Sequence, residues 1–320
     1  MKLNKALEGF EIARISEGYS TDTLERYHYC LKLLSRYLGD INLESIRYSD
    51  LQSFFHYLRT EYVPNRSNGS TEPLATASIY SVWKSVRSFF NWAEEDMGLE
   101  RPDSRLKAPR YSSAEIQPFS QDDITALLKT YEITAPTKSN RPSGYTQRRI
   151  SSLRDRAIIL TLLDTGLRAS EMCRLNIEDI ILEHGELHIK PFGAGQKTKP
   201  RTVFLGMTSK KALWRLLAER REAHIAAPIL LTIHGRRMNR HNLRSMLRRL
   251  GERAGVAKVH AHRFRHTFAI QYLRNSGDVF SLQRLLGHST LSMVNRYLAL
   301  ASADVAKAHR LASPVDRWRL

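Results

Sequence analysis

The sequence predicts a mainly α protein: a helical N-terminal domain followed by a mostly helical second domain that carries one small antiparallel sheet. Three observations predict it. At 320 residues the chain is too long for one compact core and suits two domains of ordinary size. Apolar residues recur three and four apart through most of its length. Between Asp179 and Leu205 that period gives way to short strand-like runs broken by glycine turns.

The elements follow in order. Leu24, Tyr27, Leu31, Leu34 and Leu38 form one helical stripe, with Asp22 as N-cap, Glu25 three residues on and Gly39 as the stop. Ser49 opens a second helix with Leu51, Phe54, Phe55 and Leu58. After the polar loop from Pro64 to Pro73, a third carries Ile79, Val82, Val86, Phe89, Phe90 and Ala93. Trp83 and Trp92 lie on or beside that stripe, which makes them packing residues rather than platforms for bases. Residues 1–98 are thus one helical domain. Residues 99–118 hold Pro102, Pro109 and Pro118, two charge clusters and little apolar periodicity, the composition of an extended linker.

The second domain spans residues 119–320. Ser120 with Asp123 caps a helix through Ile124, Leu127 and Leu128, and a polar loop runs from Thr134 to Arg149. Leu153, Ala157, Leu160 and Leu163 mark the next helix, which Gly166 ends. Ile180 to Leu182, a His184-Gly185 turn, Leu187 to Ile189, a basic tip from Gly193 to Pro200, and Thr202 to Leu205 make the sheet. Helices resume near Ser209. Asn239 caps one through Leu243, Leu247 and Leu250, and Arg240, Arg244 and Arg248 line another of its faces.

The charge narrows the function. Lys and Arg number 50 against 32 Asp and Glu, a net +18 that attracts polyanions. From Arg236 to Arg265 there are ten Lys or Arg and one acid, Glu252. Nucleic acid is the expected partner. No apolar run approaches a membrane span and no strongly amphipathic segment with an aromatic anchor accompanies the basic cluster, so a membrane is not expected. The start lacks the plan of a secretory signal, and two distant cysteines, Cys30 and Cys173, make no disulfide framework, which suits a reducing cytoplasm. No metal or cofactor is expected. His260, His262 and His266 lack a carboxylate or cysteine in ligand spacing and lie beside Arg263 and Arg265, while Gly193-x-Gly195 lacks the ending of a nucleotide phosphate loop.

Polar residues concentrate in Thr165 to Glu171, in His262-Arg263-Phe264-Arg265-His266, in Leu286-Gly287-His288-Ser289 and at Tyr297. The stretch Leu153 to Ala157 through Leu167-Arg168-Ala169-Ser170-Glu171 resembles the first box of the tyrosine recombinase (phage integrase) family. His262-x-x-Arg265-His266-Thr267-Phe268-Ala269, then Leu285 to Ser289 and Tyr297, resembles its second, and residues 20 to 95 resemble its helical DNA-clamping domain. The resemblance implies a site-specific recombinase for integration, excision or resolution, acting on duplex DNA as a tetramer on two duplexes. It also implies an accessory DNA-bending protein or partner recombinase, no metal or ATP, a cytoplasmic, nucleoid-associated location, and a tail helix from Ala301 to Leu311 docked on a neighbour or on its own domain. A catalytically inactive DNA-binding protein of the same fold and a type IB topoisomerase-like strand relaxer are the alternatives.

The chemistry supports that resemblance. Charge grows on the phosphate oxygens of an attacked diester, and Arg168 and Arg265 supply permanent cations that bind phosphate through paired N–H groups. One such preorganised donor is typically worth about 3 to 4 kcal/mol of barrier. Tyr297 is the nucleophile, and because a free phenol titrates near about 10 it needs help from a base, for which His262 is the candidate. His288 donates to the phosphate or positions the tyrosine, and Glu171 orients Arg168 or a histidine. The leaving 5′-oxygen takes its proton, by resemblance, from a lysine on the hairpin tip: Lys197 first and Lys199 second, since Ala194 stands where lysine is frequent and Lys197-Thr198-Lys199 before the Arg201-Thr202-Val203 strand resembles the family's other variant. Lys199, Arg201, Arg240, Arg244, Arg248 and Arg263 are the expected DNA contacts.

Overall fold

The computed structural model describes residues 1–66, 69–110, 115–131, 142–192, 200–220, 222–301 and 313. The chain forms two compact units, one from Met1 to Glu115 and one that starts at Ile116.

The first unit packs four helices, α1 (Leu3–Ser16), α2 (Thr21–Leu38), α3 (Tyr48–Thr60) and α4 (Thr76–Met97). Their apolar stripes meet in one core in which Phe10, Phe54 and Phe89 are almost fully buried. Phe10 stands edge-on to Phe89 and Trp92 at 5.7 and 5.6 Å between ring centroids. Each such side chain contributes about 1.5–3 kcal/mol through burial. Helix α1 falls outside the sequence expectation because Ile12 and Ile15, both exposed, blur the stripe made by Leu3, Ala6 and Phe10. Helix α2 starts two residues earlier than Asp22 implied, with Ser20 at the N-cap. The stretch expected to be an extended linker begins as packed structure. Asp103 is fully buried against Arg101, Leu106 joins the helical core, and Trp83 Nε1 donates to the Leu106 carbonyl at 3.2 Å.

The second unit holds α5 (Gln121–Lys129), α6 (Pro142–Thr165), α7 (Ala169–Arg174), the strands β1 (Ile180–Ile181), β2 (Glu186–Ile189) and β3 (Arg201–Phe204), then α8 (Met207–Ala218), α9 (Arg240–Ala254), α10 (Ala261–Arg274), α11 (Val279–Leu286) and α12 (Ser292–Ala301). The sheet is antiparallel in the order β1-β2-β3, with Leu187 opposite both Ile180 and Val203. Ser120 and Asp123 exchange backbone and side-chain bonds at the start of α5, and Asn239 does the same with Asn242 at the start of α9. Helix α6 begins at Pro142, inside the stretch expected to be a polar loop. A proline at the first helical position loses no hydrogen bond, so it starts this helix instead of breaking it. The hairpin tip 193–199 and the tail 302–312, both singled out in the sequence, lie outside the described residues. No helix among the described residues is long and apolar enough to cross a membrane.

Candidate active site

The site assembles at the C-terminal end of α11. The last carbonyls of a helix have no partners within it and carry the negative end of its dipole. Three arginines, remote from one another in sequence, satisfy three consecutive carbonyls here. Arg201 Nε donates to Leu285 at 2.7 Å, Arg265 Nη2 to Leu286 at 2.8 Å and Arg168 Nη2 to Gly287 at 3.4 Å. Gly287 ends the helix at φ 64°, and a Cβ there would meet the Arg201 guanidinium at 3.1 Å, so both backbone conformation and space call for glycine.

Glu171 holds two of these cations together. Its carboxylate is fully buried and accepts from Arg168 Nη1 at 2.8 Å and the Arg168 backbone N–H at 2.9 Å. It also receives a two-pronged bond from Arg201 Nη1 and Nη2 at 3.0 and 2.8 Å. Burial alone would raise its pKa, but the bonds from Arg201 and Arg168 outweigh that and bring it down to about 2. Glu171 therefore contacts Arg168 as expected from sequence. Arg201, expected at DNA, has a side chain that is 7% exposed, and its fork is spent on Glu171. A buried carboxylate needs a bidentate cation, and Arg201 supplies it.

Arg265 is 2% exposed. Its Nη1 donates to the Gly166 carbonyl at 2.9 Å and its Nη2 approaches His288 Nε2 at 2.8 Å. Gly166 closes α6 at φ 61°, where a Cβ would lie 2.5 Å from the Phe268 ring. Burial, then the neighbouring Arg168, lowers the Arg265 pKa to about 10, still protonated at neutral pH. A guanidinium only donates, so His288 Nε2 accepts and Nδ1 carries the hydrogen. That Nδ1 is buried and unpartnered among the described residues. Burial and then Arg265, Arg168 and Arg201 bring the His288 pKa down to about 4, so the ring is neutral.

Tyr297, on α12, is 4% exposed and packs with Leu282, Leu286 and Val294. Its ring lies nearly parallel to His288, with 8° between planes and 6.4 Å between centroids. The turn after α11 and the start of α12 thus bring His288 and Tyr297 to one pocket. Burial raises the phenol's pKa, opposed by Arg265, Arg296 and Arg168. The phenol's hydrogen-bond partner is His266, whose Nδ1 lies 2.9 Å from the hydroxyl oxygen. His262, the expected base, is exposed one helical turn away, with its ring 4.2 Å from that of His266. His262 and Arg265 lie three residues apart in the first turns of α10. In the structure Arg265 turns inward and His262 outward.

Arg240, Arg244 and Arg248 are exposed along α9. With Ala169, His260 and His262 they line a groove of about 840 Å³ that leads to the site. Arg263, also expected at DNA, is held by groups of its own unit. Its guanidinium lies 4.0 Å over the Phe119 ring and donates to the carbonyls of Gln117, Pro118 and Ala257 and to Asp123. It fixes the entry of the second unit onto α10. Lys197 and Lys199 lie outside the described residues. Sequence reasoning missed His266 as a site residue, although its place directly after Arg265 and four residues after His262 was the available signal.

The phage integrase family model matches residues 119–304, well over half of the chain, and holds all of these groups. The chain belongs to the phage integrase family. A phage integrase SAM-like domain matches residues 10–103. This tyrosine recombinase is of the XerC/XerD type and is a DNA strand transferase of site-specific recombination. It is 28% identical to tyrosine recombinase XerD of Oceanobacillus iheyensis, over 98% of this chain and 99% of the relative. It is 27% identical to tyrosine recombinase XerA of Thermococcus kodakarensis, over 98% and 97%. The fold matches the Tn1549 transposon integrase solved with transposon right end DNA, at a TM-score of 0.74 and 18% identity across the full length of both chains. It also matches a lambda integrase dimer bound to a core site, at a TM-score of 0.68 and 18% identity, over 93% of this chain and 77% of that one.

Proposed function

We propose that this recombinase cleaves and rejoins duplex DNA through a covalent 3′-phosphotyrosine at Tyr297. The observation that carries the reading is the convergence of Arg168, Arg265, His288 and Tyr297 around the end of α11. Arg168 and Arg265 grip the scissile phosphate with the N–H groups not spent on carbonyls. Glu171 and Arg201 keep Arg168 in place, and His288 adds a donor to the phosphate through Nδ1–H. His262, on the open side of the site, is the base candidate for the Tyr297 proton. Tyr297 forms its bond to phosphorus as the 5′-oxygen leaves, and Lys197, with Lys199 second, protonates that oxygen. A 5′-hydroxyl from another strand reverses the attack, so the ester bond is conserved and neither ATP nor a metal is consumed.

The helical domain, residues 1–98, and the catalytic domain, residues 119–320, joined through 99–118, clamp the duplex, and Arg240, Arg244 and Arg248 contact its backbone along the groove. Four protomers join two duplexes, with an accessory DNA-bending protein or partner recombinase as a further component and the tail 301–311 as the contact between protomers. The setting is the cytoplasm, at the nucleoid.

The test uses a site selected from a randomised duplex pool by binding to the purified chain, then nicked so that cleavage is trapped. Wild-type protein gives a protein-DNA adduct that persists in EDTA, and Tyr297→Phe gives none. Undiminished adduct in that variant removes Tyr297 as the nucleophile.

A further inference from the structure

We propose that Gln283, on α11, is a positioning residue that aims His288 at the scissile phosphate. This rests on His288 being a donor to that phosphate. His288 carries a backbone N–H, a backbone carbonyl and two ring nitrogens, and three of these are spent within the second unit. Its N–H donates to the Gln283 carbonyl at 3.1 Å, its carbonyl accepts from Gln283 Nε2 at 3.2 Å, and its ring Nε2 accepts from Arg265 at 2.8 Å. Gln283 thus makes both backbone bonds. The fourth group, Nδ1–H, is the one left for a substrate.

The arrangement grows out of a helix ending. Gly287, in the left-handed conformation, lets the chain fold back so that the N–H of the next residue reaches the Gln283 carbonyl in the last turn of α11. That bond fixes only the N–H side of the closing residue, whose carbonyl would otherwise face away from the helix. Here the Gln283 amide reaches around the turn and takes it. A carbonyl oxygen only accepts, so the amide presents its NH₂ group. Gln283 is half-buried, and Leu282 beside it is fully buried with Leu286 and Tyr297, so the amide extends from a firmly packed helix.

Aim matters more for His288 than for its neighbours. Arg168 and Arg265 each carry five N–H donors, so a small rotation exchanges one donor for another, whereas a neutral imidazole has a single hydrogen to give. Burial and the surrounding arginines keep this ring neutral. With Nε2 pinned on Arg265, the ring can still swing if its backbone end is free; Gln283 fixes that end, and the ring is held at both. A donor fixed in advance costs no reorganisation when charge develops on the phosphate oxygens. Without the amide, the His288 carbonyl loses its donor, the peptide plane turns, and Nδ1–H sweeps off its line.

The experiment compares Gln283→Met, His288→Ala and the double variant in the rate of adduct formation on the nicked duplex defined above, with protein in excess over DNA. Methionine keeps the length and apolar stem of glutamine but donates nothing. Gln283→Met should slow adduct formation by about 10- to 10²-fold, the scale of a reacting group misplaced by about an ångström, while binding of intact duplex is unchanged. His288→Ala should lose about 10²–10³. The double variant should be no slower than His288→Ala, because a residue that acts through His288 then has nothing to act on. A merely structural loss at the end of α11 would multiply with it instead. Gln283→Met at the wild-type rate overturns the proposal, and so does a double variant slower than His288→Ala by the full factor of Gln283→Met. His288→Ala at the wild-type rate is a different failure, of the phosphate donor, and is read without any Gln283 variant.

Discussion

The interior of the first unit is almost wholly apolar, built from Leu3, Phe10, Leu34, Phe54, Leu58 and Phe89, with Asp103 as its buried ion. The second unit has an apolar core of its own but also buries Arg154, Asp155, Glu171, Arg265 and His288. Apolar burial stabilises a fold with no demand on geometry beyond close packing. Buried charges cost several kcal/mol each unless paired, and a paired set is often no more stable than hydrocarbons of the same shape. The contrast teaches where each unit's sequence is constrained by folding and where by chemistry: the second unit carries a charged interior that its stability does not require.

That contrast can be broken most directly at Glu171. Glu171→Gln leaves the buried Arg201 guanidinium and the partly exposed Arg168 without their counter-charge, and unfolding of the second unit should be easier by about 3–5 kcal/mol, measured by denaturant titration. Adduct formation should fall about a hundredfold or more as Arg168 loses its anchor. The same variant should lose the acid sensitivity that Glu171 confers. A carboxylate held at about 2 against an ordinary 4.5 contributes stability that is fully present above pH 4.5 and lost as pH falls through 2.

Phe89→Ala in the first unit is expected to cost a similar 3–5 kcal/mol, about the usual figure for a buried phenylalanine. Hydrogen exchange should localise that loss to the first unit, with His266 and Tyr297 protected as in the wild type. Faster exchange in the second unit would show that the two fold as one.

A smaller effect comes from pH. His266 and His288 are both held near about 4, below the ordinary 6.5. Between those values the unfolded chain binds protons that the folded one refuses, so stability is full above 6.5 and declines as pH drops toward 4. Peptide-resolved hydrogen exchange at pH 5 and pH 7.5, corrected for intrinsic rates, should place this decline in α10 to α12. The smallest change concerns the exposed charge. Arg244→Ala should leave stability within about 0.5 kcal/mol while lowering the salt dependence of duplex binding by about one ion.

Most of the fold was legible because its causes are local. Ser120 and Asn239 cap the helices their spacing implied, and Val203 sits in the strand its alternation implied. What escaped was settled by contacts far apart in sequence. Arg201 and Arg263 look like surface cations in a basic chain, and only the fold brings a buried Glu171 to one and the Phe119 ring to the other. The start of α6 at Pro142 was hidden by the usual reading of proline as a breaker. Arg168, Arg265, His288 and Tyr297 were visible as an ordered motif, whereas His266 was hidden by its neighbours, since nothing in a string of letters says which of two histidines a phenol will meet.

The arginine cluster leans on main-chain oxygens of residues 285 to 287, atoms that every amino acid possesses. Leu285 and Leu286 can therefore drift among other apolar types without dispersing the cations, whereas Gly287, crowded by a guanidinium, cannot. A library randomised across these three codons and screened for adduct formation should return a tolerant pair beside one nearly invariant position.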